Sequence, residues 1–83
     1  MCTIVGHKIG APKGVAALFV KTGTPFRKLM HGGGQEGGRR AGTENVLHIV
    51  GLGAACGLVE REAAELPSHM AALRDTLQVN PQP

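Results

Sequence analysis

Two adjacent side chains, the imidazole of His7 and the primary amine of Lys8, follow the short apolar run Thr3-Ile4-Val5 and precede Gly10, Pro12 and Gly14. A lysine amine condenses with a carbonyl carbon once it has shed its proton, and apolar surroundings or a neighbouring cation favour that loss. A glycine-rich turn just past a strand lies at a sheet edge, where cofactors dock. Lys8 is therefore a candidate to bond an aldehyde-bearing cofactor through an imine. His7 is a candidate to donate a hydrogen bond to such a cofactor's phosphate or to orient its ring. The competing reading makes Lys8 an ordinary solvated lysine and His7 a structural histidine, since lysines lie mostly on the surface.

A second constellation follows. Residues 31–42, HGGGQEGGRRAG, form a glycine-rich loop that runs into Thr43 and Glu44. Glycines allow backbone N–H groups to approach a small anion without obstruction. A helix N-terminus adds roughly half a positive charge, and the Thr43 hydroxyl adds a further donor. Gly42, Thr43 and the first helical turn thus form a candidate phosphate site, although Thr43 can also serve as an N-cap alone. Neither loop matches GxxxxGK[ST] or GxGxxG after a strand, which argues against a nucleotide role.

These groups need elements to position them. Residues 2–5 read as a short buried strand, 6–14 as a loop, and 15–20 (VAALFV) as a second strand buried on both faces. Residues 21–30 form a connector in which Pro25 forbids a central strand. Thr43 then precedes a long helical pattern over 44–65, with Val46, Ile49, Val50, Gly53 and Gly57 on one broad face. Gly51, Gly53, Ala54, Ala55 and Gly57 make that helix thin, so it is expected to pack closely on a neighbour and to need tertiary contact. Pro67 breaks the pattern, and Ser68 is expected to cap a final helix near 69–78, with 79–83 frayed. The class is α/β.

Size and composition bound the rest. With 83 residues, 13 glycines and Phe19 and Phe26 as the only aromatics, the chain has little with which to fill a core of its own. It is expected to be a piece of a larger protein. The net charge of +3 is scattered and forms no nucleic-acid arm, although Arg39-Arg40, flanked by glycines, could meet a phosphate. Cys2 and Cys56 lack metal-ligand spacing; Cys56 reads as a small core residue and neither as a nucleophile. No apolar stretch reaches the roughly 20 residues of a membrane span, and no signal peptide opens the chain. A soluble, reducing, intracellular setting is expected, with the compartment open.

GHKIGAPKGVAALFV followed by GGGQEGGRRAGTENV resembles the pyridoxal-phosphate-dependent cysteine desulfurases and selenocysteine lyases, within class V of the aminotransferases. The resemblance spans roughly residues 3–60 and rests on two motifs in order and at the right distance. It implies part of the large domain of a fold-type I transferase over residues 1–60, with 61–83 leading toward the small C-terminal domain. It implies pyridoxal 5'-phosphate as cofactor, held covalently by Lys8, which also moves the substrate proton. By the same resemblance His7 contacts the cofactor phosphate, and Thr43 reaches the phosphate of the opposite subunit in a homodimer. Gln35 and Arg40 fall near that dimer interface as structural or site-lining groups. The implied reaction removes sulfur or selenium from L-cysteine or L-selenocysteine to leave alanine, with sulfur-acceptor or scaffold proteins as further partners and neither nucleic acid nor membrane.

The chain also departs from the family pattern. Val5 replaces a serine common among desulfurases, which leans toward the selenocysteine-lyase branch and removes one phosphate donor. Glu36-Gly37-Gly38 stands where glutamate-arginine-glycine is usual, and Ala11 where glycine is commoner. The ring-stacking histidine, the aspartate at the pyridine nitrogen, the mobile catalytic cysteine and the substrate-carboxylate arginine have no match here. The chain alone is thus expected to be inactive. The alternatives are a non-catalytic or dimerisation piece, or another class V reaction on the same scaffold.

Overall fold

The computed structural model describes residues 1–79. Two strands, β1 (Cys2–Val5) and β2 (Ala16–Phe19), pair antiparallel, with Cys2 opposite Phe19 and Val5 opposite Ala16. The segment joining them is drawn inward. The Gly6 N–H donates to the Val15 carbonyl at 2.9 Å and the Ala11 N–H to the Gly6 carbonyl at 3.0 Å. What the sequence offered as a plain loop therefore contains a 3₁₀ turn, Gly6–Ile9, closed by Gly10 in the left-handed region at φ 84°. Glycine adopts that conformation without a Cβ penalty.

Helix α1 (Val46–Glu62) packs against this turn. Its Leu52 and Ala55 meet Ala11 and Val15 to form the buried core, with Ile9 packed against it. The close approach expected of a thin helix occurs at Gly51, where a Cβ would fall 3.0 Å from Pro12 Cδ; at Gly53 the space is open. The packed face differs from the one expected. Val46, Ile49 and Val50 are exposed, and so is Cys56, which turns out not to be a core residue. Cys56 follows Ala55 by one residue, and a step of about 100° around the helix carries it off the core face.

Neither strand is buried as anticipated, β1 as a short buried strand and β2 as one buried on both faces. All four residues of β2 are exposed, and Ile4, Leu18 and Phe19 lie open, because within this chain α1 packs on the β1–β2 connection rather than on the sheet. Helix α1 also begins later than expected. Its N-cap is Asn45, whose side-chain oxygen accepts from the His48 N–H at 3.4 Å, so Thr43 is not the cap and Glu44 precedes the helix. Helix α2 (Leu66–Val79) starts three residues before the anticipated residue 69. Pro67 lies in its first turn, where a missing N–H costs nothing. Ser68 is inside the helix rather than at its cap, and its hydroxyl donates to the Glu65 carbonyl at 2.8 Å. Val79, anticipated as frayed, is instead the last residue of α2, and the rest of the stretch anticipated as frayed, 80–83, lies outside the described residues.

Candidate functional site

The turn that carries His7 and Lys8 is anchored at both ends. Gly6 is buried and Ile9 packs on the core, while His7 and Lys8 between them are exposed. Gly6 is obligatory for this arrangement, because a Cβ there would lie 2.8 Å from both Val15 Cγ1 and the Val15 carbonyl oxygen. The fold thus sets an amine and an imidazole side by side on a fixed turn at the end of β1. The apolar burial considered for Lys8 is not supplied by this chain.

The second loop is a closed excursion. The Ala41 N–H donates to the Met30 carbonyl at 3.2 Å, and Gln35 bridges Arg40 in antiparallel fashion. Glu36, Gly37 and Gly38 all have positive φ, at 52°, 64° and 81°. The Arg40 guanidinium donates to the Ala41 carbonyl at 3.0 Å, so part of its donor capacity stays within the loop. Gly42, at φ 97°, then turns the chain into Thr43.

Thr43 borders a cleft of about 770 Å³ between this loop, β2 and the start of α1; Arg39, Arg40, Gly42, Glu44 and Asn45 share its rim, and Leu18 and Ile49 its apolar wall. His7 and Lys8 do not line it. The chain therefore gathers the loop and Thr43 at one place and presents the His7-Lys8 pair at another. Two residues of the site gained roles that the sequence reading had not given them. Asn45 caps α1, and Glu44, read only as a partner for the helix dipole, receives the Gln35 side chain. With the Gln35 amide oriented to satisfy both groups, its nitrogen donates to Glu44 Oε1 at 2.9 Å and Oε2 at 3.3 Å. The signal for Asn45 was present, since asparagine ranks with the strongest N-caps.

Among the described residues, no cluster of His, Cys, Asp and Glu could hold a metal ion, and no helix is long and apolar enough to cross a membrane.

The sequence of the whole segment matches one family model, aminotransferase class-V, over residues 1–80. The chain belongs to that family. It is 50% identical over 78 residues to a cysteine desulfurase of Gluconacetobacter diazotrophicus and 54% identical to one of Nostoc sp.. It is 47% identical to the cysteine desulfurase NifS of Azotobacter vinelandii. In each case 94% of this chain is covered, but the chain spans only about a fifth of the relative's length. A solved NifS-like protein superposes with a TM-score of 0.88 at 43% identity, covering 93% of this chain and 21% of the other. The α/β class read from the sequence agrees with that superposition.

Proposed function

We propose that the protein containing this segment is a pyridoxal 5'-phosphate-dependent cysteine desulfurase, and that the segment supplies its cofactor-bonding lysine. Similarity to proteins named cysteine desulfurase, running through both the His7-Lys8 turn and the Thr43 loop, carries this reading. The overall reaction is cysteine plus a thiol acceptor giving alanine plus the acceptor persulfide, so one C–S bond is broken and one S–S bond is formed. The relatives named above favour cysteine over selenocysteine as substrate.

The donor set fits the cofactor chemically. An exposed primary amine suits its aldehyde, and an imidazole and a hydroxyl suit its phosphate. When bound, the cofactor supplies an electron sink for carbanionic charge at the substrate carbon. Lys8 would hold the cofactor and then carry a proton at its Nζ. His7 would donate a hydrogen bond to the phosphate. Thr43 would donate its hydroxyl to the phosphate bound by a partner subunit, a role supported by its bordering a cleft that His7 and Lys8 do not line. Residues 1–60 would belong to the large domain and 61–83 would lead to the small one; the break between α1 and α2 supports a division near there. Sulfur-acceptor and scaffold proteins complete the proposed partners.

The test uses the protein that contains this segment, purified with its cofactor and given L-cysteine, with L-selenocysteine in a parallel arm. Alanine should appear with an equal amount of transferable sulfur. Lys8→Ala should lower turnover at least 10²-fold to 10⁴-fold, the roughly expected weight of a proton-transfer group, and should abolish covalent retention of the cofactor. A Lys8→Ala variant that keeps both turnover and retention would overturn the assignment. Amino transfer to a keto acid in place of sulfur release would assign another class V reaction.

A further inference from the structure

We propose that Gln35 is a positioning residue for Thr43, acting through Glu44. The inference rests on the reading of Thr43 as a phosphate donor and goes beyond it, because Gln35 touches neither cofactor nor substrate in that reading.

The backbone of Gln35 is already engaged. Its N–H donates to the Arg40 carbonyl at 3.0 Å, and its carbonyl accepts the Gly38 N–H at 2.9 Å. Those bonds close the turn without help from the side chain. The side chain instead reaches out of the loop to Glu44, at 2.9 Å and 3.3 Å from the two carboxylate oxygens. Gln35 and Glu44 are both half-buried, while the loop residues from Glu36 to Arg40 are exposed. An amide donating to an ionised carboxylate in a partly sheltered place is stronger than a neutral pair.

Glu44 is fixed at its other end as well. Its carbonyl accepts the Val46 N–H at 3.0 Å, beside the Asn45 cap of α1. The Gln35–Glu44 bond therefore ties the glycine loop to the start of the helix. Thr43 lies inside the closed circuit, with Gly42 on one side and Glu44 on the other. Gly42, at φ 97°, has no side chain with which to brace Thr43 from the loop side. The remaining ties across the loop base are the Ala41 N–H to Met30 bond and a weak contact from the Arg40 guanidinium to Met30 Sδ at 3.9 Å. Both lie before Gly42, so neither holds the segment that follows it.

The experiment uses the whole protein in four forms: wild type, Gln35→Glu, the exchanged pair Gln35→Glu with Glu44→Gln, and Thr43→Val. Two readouts are taken. Affinity is measured for pyridoxal 5'-phosphate and for pyridoxal, which has the same ring and aldehyde without the phosphate. Amide hydrogen exchange is followed at Arg40, Ala41 and Val46 in the cofactor-free protein. Gln35→Glu sets two carboxylates face to face. It should speed exchange at those amides and weaken pyridoxal 5'-phosphate about tenfold while leaving pyridoxal unchanged, the scale of one charge-assisted hydrogen bond. The exchanged pair swaps donor and acceptor and should restore affinity to within about twofold of wild type.

Failure is separable. If Thr43→Val lowers the preference for the phosphorylated compound while Gln35→Glu leaves it intact, Thr43 keeps its role and Gln35 does not position it. If Gln35→Glu weakens binding and the exchanged pair does not recover, the loss is one of general folding and the proposal falls. If Thr43→Val leaves the preference unchanged, the reading beneath the proposal fails and takes it down.

Discussion

Gly6 stands between the last residue of β1 and His7, and its lack of a side chain fixes where the His7-Lys8 pair is carried. Its N–H donates to the Val15 carbonyl at 2.9 Å, and a Cβ on it would meet that same oxygen at 2.8 Å and Ala11 Cβ at 3.1 Å. The oxygen belongs to the backbone at the base of β2, so it cannot swing aside as a side-chain end would. Gly6→Ala should therefore cost about 1–3 kcal/mol, the range for forcing extra volume into a packed place. Gly10→Ala differs in kind. Nothing lies within 4 Å of its Cβ position, and only the left-handed backbone at φ 84° opposes it, which costs about 1–2 kcal/mol. Denaturant midpoints of the two variants, each with its cofactor retention, check this. Gly6→Ala should also reduce retention, because it displaces the turn bearing Lys8, and a neutral Gly6→Ala would show that the turn does not depend on the contact. The sequence made the pairing of amine, imidazole and glycines legible, since those are local features. It left the setting of Lys8 open between an apolar one and the solvated one that the structure shows, because a side chain's burial depends on what other elements place over it.

Helix α1 shows what a pattern of residues leaves undecided at the level of an element. Thr43 and Asn45 are both strong capping types, two residues apart, and propensity alone does not choose between them. The structure chooses Asn45, which takes the His48 N–H and also sets its Nδ2 3.0 Å from His48 Nδ1. Asn45→Ala should then cost about 1 kcal/mol of helix stability, within the usual span of about 0.5–2 kcal/mol for a lost cap, whereas Thr43→Ala should cost the helix nothing. Amide exchange at His48 in the two variants distinguishes them, and equal protection in both would move the cap back to Thr43. The packed face escaped the sequence for a related reason. Val46, Leu47, Ile49, Val50 and Leu52 place apolar groups all around the first turns, and a helix apolar on every side gives no stripe to read. The sequence marked β1 and β2 as strands but did not pair them; their antiparallel register comes from the structure, since short apolar runs do not by themselves select a partner. The Gln35–Glu44 bond was not readable, because eight residues of glycine-rich loop separate its partners.

At the scale of the whole molecule, the chain leaves open far more surface than its size warrants. Its accessible area is 7096 Å², against about 4,700 Å² for a folded monomer of 8.6 kDa. Its radius of gyration is 18.3 Å, against about 12 Å for a compact domain of 83 residues. Among the described residues, the buried apolar core comes to four, none larger than leucine. Meanwhile Leu47, Val50 and Leu77 are 85%, 66% and 77% exposed. Burial at about 25 cal/mol per Å² is the main term opposing chain entropy, and here that area stays in water. The isolated 83-residue chain should therefore melt without a sharp transition and should bind a dye for exposed apolar surface, as loosely packed states do. The same segment within the protein that contains it should melt with that protein's cooperative unit and leave the dye unbound. Calorimetry and dye fluorescence on both samples check the expectation. A sharp calorimetric peak from the isolated chain, with no dye binding, would show that the two strands and two helices complete a core by themselves, and the open faces of β2, α1 and α2 would then need an explanation other than partners supplied from elsewhere in the protein.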